Sequence, residues 1–403
     1  MAKGIGMLEG VCVLDFTRVL AGPHCTRLLA DLGARVIKVE RPGEGDEMRR
    51  APLQLPGEGD QSTYFARRNA GKESIAIDLS TLQGQGLVLA LAEHVDVVVE
   101  NFVPGVADKL GIGFESISSV KPDIVYCSIS GYGQTGPDAR QGAFAHVVSA
   151  ASGIMHLDAG ESGPRSSHLQ AADVLAGTNA YGAIVSALFR RMKTGQGACI
   201  DVSMLESLIA SEDIAFGAVP NGAASTAGPR PGMGVSKVDG RYIAWQSGGA
   251  PMLWPRLCAA MGRAELEHDP RFATAEARRE RWHELQDIVS EWLGSYRNSE
   301  EALAALREAR IPCAPVLTPE EVVVAPQLVA RETFSPVSHP GNGEVNVSTS
   351  PYWIDGKPVP AAGPPPYRIG EHTDPILREL LGLGDTEIAE LLENRAIATV
   401  TAV

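Results

Sequence analysis

VCVLDFTRVLAGPHCTRLLADLGARVIKVER, residues 11–41, decides the fold. VCVLDF is a run of β-forming apolar residues and predicts a strand. TRVLAGP predicts a loop, and HCTRLLADLGA a helix with Pro23 near its start and Gly33 near its end. RVIKVER predicts the next strand. Strand, helix and strand at this spacing imply a parallel pair joined by a right-handed crossover. The loop at residues 17–23 then lies at a strand's carboxyl end, where open α/β sheets bind ligands. It is not a GxGxxG loop, so a dinucleotide reading lacks its fingerprint.

The pattern continues outward. Residues 42–72 are rich in Gly, Pro, Asp and Arg and predict a loop over the sheet edge. SIAIDL predicts a strand. Ser80 and Gln83 fit a capping box that opens a helix to about His94. VDVVVENF is a further strand, VPGVADKLGIGFESI a broken helical connection and DIVYCSIS another strand. Together these predict a doubly wound α/β domain with a parallel sheet. From Gly131 to His168 the chain is Gly- and Ser-rich, with a short helix expected around Phe144–Met155. ACIDVS and MLESLIASEDIAF predict a strand and a helix. Residues 220–234 lose periodicity and read as a linker. VSKVDGRYIAWQ predicts a hairpin turning at Asp239-Gly240. Residues 251–310 are mostly helical and IPCAPVL is a short strand. We therefore expect a large domain over residues 1–220 and a smaller α+β domain over 225–330. Residues 331–403, with the proline run PVPAAGPPPYR, should return along the large domain and complete it over 335–403.

Composition narrows the function. The chain has 403 residues, 44% of them hydrophobic, so a sizeable core is expected. A net charge of -14 argues against nucleic acid and against an anionic membrane surface. No apolar run approaches the ~20 residues of a membrane span, and the start of the chain lacks a signal-peptide core. Six scattered cysteines read as buried thiols of a reducing cytoplasm. The nine histidines form no HExxH-type pair, which argues against a metal.

HLQAADVLAGTNAYGAIVSALFRRMK (168–193) predicts a long helix of small residues ended by Gly195. Asp173 stands at its mouth, as an N-cap or first-turn residue. Helix amides would keep it ionised, so capping and nucleophilic roles are compatible, and local sequence does not separate them.

Four stretches carry a wider resemblance. They are 13–46 (VLDFTRVLAGPHCTRLLADLGARVIKVERPGEGD), 99–111 (VENFVPGVADKLG), the Asp173 helix with 193–207 (KTGQGACIDVSMLES), and 369–383 (IGEHTDPILRELLGL). In this order, across nearly the whole chain, they resemble the class III CoA-transferases. The resemblance implies a Rossmann-like large domain built from both chain ends, a small domain between, and two subunits interlocked as a homodimer.

It also implies an acyl-CoA and a carboxylic acid as substrates, with no tightly bound cofactor. Asp173 matches the family nucleophile. The implied route is an acyl-aspartyl anhydride followed by an aspartyl-CoA thioester. Positions matching coenzyme A contacts are Leu20, Ala21, Arg41, Asp78, Leu79, Asn101, Phe102 and Lys109, with Arg41 and Lys109 the basic candidates for phosphate. Read alone, Arg41 and Lys109 fit solvated surface charges better than phosphate contacts. The formyl-CoA enzymes carry glutamine where this chain has Leu20 and a glycine run where it has AGPRPGMG (227–234), so formyl-CoA:oxalate transfer is not expected. Arg230 either pairs with the distal carboxylate of an acid such as succinate or is a loop arginine in water. His146 either polarises a substrate carboxylate or is a satisfied interior histidine. Succinyl-CoA is the expected donor. The alternatives are a 2-methylacyl-CoA racemase of the same fold, whose histidine position falls at Phe144 here, and a silent CoA-binding homologue.

Overall fold

The computed structural model describes residues 6–56, 61–159, 163–224, 232–247 and 251–400. Arg230 lies outside these residues.

The larger unit comprises Met1–His156, Arg165–Ser225 and Pro326–Val403. Its strands are β1 (Cys12–Asp15), β2 (Arg35–Glu40), β3 (Glu73–Ile77), β4 (Val97–Glu100), β5 (Val125–Ser130) and β6 (Ala198–Ser203). They form one sheet in the order β3-β2-β1-β4-β5-β6, all parallel, and the C-terminal strand Ile397–Ala398 adds antiparallel to β3. Helices pack on both faces, so β2 to β5 are almost wholly buried and read as valine and isoleucine runs. The predicted Rossmann-like α/β class is the observed one.

The chain first runs outward from β1 through β2 to β3, then returns to add β4 on the other side. The direction of winding therefore reverses between β1 and β4. The carboxyl ends of these two strands flank the switch point, the natural crevice of such a sheet.

One face carries α1 (Ala21–Asp31), α6 (Ala145–Ala151), α8 (Ala171–Thr194) and α9 (Met204–Ile209). The other carries α3 (Leu82–Ala92), α5 (Phe114–Val120) and the tail helices Thr373–Leu381 and Asp385–Glu393. The chain also forms α2 (Thr63–Asn69), α4 (Val106–Lys109), whose Ala107 joins the core of the second face, and the short α7 (Ile154–Leu157). In α8 the buried residues Ala172, Ala176, Ala180, Ile184, Ala187 and Leu188 recur at helical spacing. Gly195, at φ 70°, ends it, with its N–H donating to the Arg191 carbonyl.

Four local expectations need correcting. α1 begins at Ala21, where the sequence reading kept a loop to residue 23; the first helical bond runs from His24 N to the Leu20 carbonyl. Pro23 is tolerated inside the first turn because its missing N–H has no partner to lose there. The cap of α3 is Thr81, whose hydroxyl accepts from Gly84 N, while Ser80 turns back onto Asp78. Cys199 is exposed, because β6 is an edge strand. Finally, α8 has 24 residues and a mean hydropathy of 1.2, which is long and apolar enough for a membrane span, although it packs on α1 and the sheet.

The tail returns to the large unit through specific bonds. Arg49 donates to the carbonyls of Pro366 and Tyr367, both at 3.2 Å. Ser74 N donates to His372 Nδ1, and Ala76 N to Thr373 Oγ1.

The smaller unit comprises Leu157–Pro164 and Thr226–Ala325. Strands Met233–Val238, Arg241–Gln246 and Cys313–Pro315 form its antiparallel sheet. The predicted hairpin turns at Asp239 and Gly240, at φ 47° and 80°. Trp245, Trp254, Trp282 and Phe272 anchor its core.

Candidate active site

The site starts from the loop between β1 and α1. Three side chains from elsewhere hold its backbone. Asn101, just past β4, accepts from Arg18 N and donates to the Arg18 carbonyl, both at 2.8 Å. Lys38, fully buried on β2, donates to the Thr17 carbonyl at 2.6 Å and pairs with Asp46 at 3.0 Å. Asp46 accepts in turn from Val19 N at 3.3 Å. Under this clamp Val19 adopts φ 67°, a left-handed conformation a β-branched residue rarely takes. Beneath it, buried Asp15 accepts from both Thr17 and Thr26 and pairs with Lys72 at 3.0 Å. A loop held this way places Leu20 and Ala21 at a fixed point, as N-cap and first residue of α1.

Asp173 faces that point. It lies in the first turn of α8, whose N-cap position is held by Gln170, so it is a first-turn residue and not an N-cap. The backbone amides of Ala21 and Ala145, the first residues of α1 and α6, and that of Asp173 itself lie near enough to its carboxylate to favour the charged form. Three helix N-termini thus converge on one carboxyl group, which is 8% exposed. Burial dominates and pushes the carboxyl up to about 6, while the amides and the charge of Arg68 pull the other way.

The close approach depends on Gly177, one turn along α8. A Cβ there would lie 2.4 Å from the Ala21 carbonyl oxygen and 3.1 Å from His24 Cδ2. A thin helix is what brings the start of α1 against Asp173.

A cavity of about 290 Å³ opens at the carboxyl ends of β1 to β4. It gathers Arg41, Asp78, Leu79 and Phe102, four of the positions matched to coenzyme A contacts. Leu20, Ala21 and Asn101 lie off its walls: the first two serve the Asp173 site, and Asn101 spends its amide on Arg18. Lys109 is exposed on α4 and is not a wall residue, although Val106 and Leu110 beside it are. Arg41 pairs with Glu44 at 3.2 Å. Arg18 was missed. It lines the cavity, its guanidinium lies 5.6 Å over the Phe102 ring, and it makes no ion pair among the described residues. A basic residue in the first loop was the available signal.

His146 sits on α6 beside Ala145 and is exposed, with its Nδ1 3.4 Å from Ser166 Oγ. This overturns the interior reading: the residue points off the helix face that packs inward. Phe144 is the N-cap of α6 and is exposed.

Residues 8–373 match CoA-transferase family III. The chain belongs to that family. This transferase is 36% identical to succinyl-CoA:glutarate CoA-transferase of Homo sapiens, covering 97% of this chain and 90% of the relative. It is 34% identical to succinyl-CoA–D-citramalate CoA-transferase of Chloroflexus aurantiacus, covering 97% and 98%. Among solved structures, a CAIB/BAIF family protein from Brucella suis superimposes with a TM-score of 0.78 at 31% identity, covering 93% of the transferase and 99% of that chain. The enzyme class read from the sequence, an acyl-CoA:carboxylate CoA-transferase, stands.

Proposed function

We propose that the transferase moves CoA from succinyl-CoA to a small carboxylic or dicarboxylic acid through a covalent thioester on Asp173. The observation that carries this reading is the Asp173 carboxylate itself, buried where the first amides of α1 and α6 meet α8. The carboxylate attacks the donor thioester carbonyl, forming an acyl-aspartyl anhydride and releasing CoA thiolate. The thiolate attacks the aspartyl carbonyl and expels the donor acid, leaving aspartyl-CoA. The acceptor carboxylate attacks that thioester, again releasing CoA thiolate and forming a new anhydride. The thiolate then takes the acceptor acyl group and restores Asp173.

The converging amides suit the stages in which charge sits on the aspartyl group. Placed beside Asp173, they favour negative charge on its carboxylate at rest and on the aspartyl carbonyl oxygen in the second and third steps. Burial limits hydrolysis of both acyl intermediates. The succinyl-CoA donor is supported by the names of the two relatives. The cavity with Arg18, Arg41 and Phe102 suits the phosphate and adenine end of coenzyme A. The working form is a homodimer in the cytoplasm. Exposed Phe189 and Met192 on α8 and six free cysteines support this.

The test is intact-protein mass spectrometry after mixing with succinyl-CoA, followed by hydroxylamine, in wild type and Asp173→Ala. A CoA-sized adduct that maps to Asp173 and is absent from the variant is the expected result. No adduct with any thioester donor would sink the reading.

A further inference from the structure

We propose that Arg68 selects the acyl group, pairing its guanidinium with a second carboxylate on the acid that Asp173 activates. The inference rests on Asp173 as nucleophile.

Arg68 lies near the end of α2, and its Nε is buried without a hydrogen-bond partner. Among the described residues no carboxylate pairs with it. Asp173 feels its charge, yet no ion pair joins the two. Arg67 and Arg27 add positive potential nearby. A desolvated cation near a nucleophile, ion-paired with no carboxylate among the described residues, is built for an anionic ligand.

Its position is fixed by a relay. Arg68 Nη1 donates to His24 Nδ1 at 3.0 Å. Burial and neighbouring cations hold His24 down to about 4, so its ring is neutral. With Nδ1 accepting, Nε2 carries the proton and donates to Thr178 Oγ1 at 3.2 Å. Thr178 donates to the Val174 carbonyl at 2.8 Å, next to Asp173 in sequence. His24 also packs over Gly177. The guanidinium is thus indexed to the turn of α8 that carries Asp173. A short diacid with one carboxylate reacting at Asp173 offers its other to Arg68, whereas a monocarboxylic acid of equal length leaves the cation unpaired. Arg68 is a specificity residue, and His24 a positioning residue.

The test uses the full chain, charged with succinyl-CoA or with butyryl-CoA, and acceptors that differ by one carboxylate, glutarate and valerate. Adduct formation and discharge are followed by intact-protein mass spectrometry. Wild type should prefer glutarate strongly, and Arg68→Gln should lower the glutarate-to-valerate ratio by roughly 30-fold. Arg68→Lys, which keeps charge but not the fork, should lower it by a smaller factor, and supplies the comparison should Arg68→Gln not fold. An adduct with an unchanged ratio in both variants, or wild type without preference, would overturn the role of Arg68 and leave Asp173 standing. Absence of any adduct from either donor would overturn the Asp173 reading and this proposal with it.

Discussion

Asn101 closes both ends of its side-chain amide on the main chain of Arg18, at 2.8 Å each, and so ties the end of β4 to the loop after β1 across the sheet's switch point. Asn101→Ala leaves the loop without that tie. We expect a stability loss of about 1–3 kcal/mol in urea unfolding. The acyl-CoA kcat/KM should fall by roughly 10- to 100-fold, because Ala21 and Arg18 lose their fixed place. An unchanged kcat/KM would show that the clamp is not needed for the reaction.

The Asp173 carboxyl, raised to about 6 by burial, couples activity to pH in one direction. Adduct formation should decline as pH falls through about 6, since the protonated acid is a poor nucleophile.

Stability follows the opposite sign. Between its ordinary value of 3.8 and about 6, the folded chain keeps a proton that the unfolded chain has lost. The penalty is therefore absent at low pH, grows through that window, and is fully present above it. Asp173→Asn should stabilise the protein by roughly 2–3 kcal/mol at neutral pH, with the gain shrinking towards pH 4.5. The same variant should lose transfer activity by roughly 10³-fold or more. Parallel melting curves and single-turnover assays check both halves.

Gly177→Ala places a methyl group 2.4 Å from the Ala21 carbonyl oxygen. Backbone cannot yield cheaply there, so α1 and α8 must separate. A stability loss of roughly 1–3 kcal/mol is expected. Activity should fall further than stability explains, because the Ala21 amide moves off Asp173. Retained activity at full folding would show that the amide's placement is not critical.

Val19 at φ 67° holds strain that glycine would release. Val19→Gly should change stability by no worse than zero and up to roughly 1 kcal/mol in the stabilising direction, measured by chemical denaturation. A clear loss would mean that the valine side chain contributes more than its backbone costs.

Much of this was legible in the sequence where the physics is local. Apolar runs such as VVVE and VYCSIS, alternating with helices, fix a parallel sheet, and Asp239-Gly240 fixes a hairpin. The start of α1 was misread because Pro23 looks like a boundary, although a first turn accepts it. Asp173 looks like any first-turn acid until Ala21 and Ala145 are brought to it, and only the family resemblance marked it beforehand. The relay from Arg68 through His24 to Thr178 joins residues 44 and 154 positions apart, and no local pattern encodes it.

The antiparallel strand Ile397–Ala398 also bears on how the chain is made. In the larger unit the Ala76 amide and the outer edge of β3 find their partners only in residues beyond position 370. The smaller unit, largely continuous over Thr226–Ala325, has all its sheet strands on hand well before that. Synthesis therefore runs against the architecture: the larger unit is begun first, and its β3 edge is covered only after the smaller unit has been made. A chain interrupted before Ile397 would carry Asp173 and a sheet still open along β3.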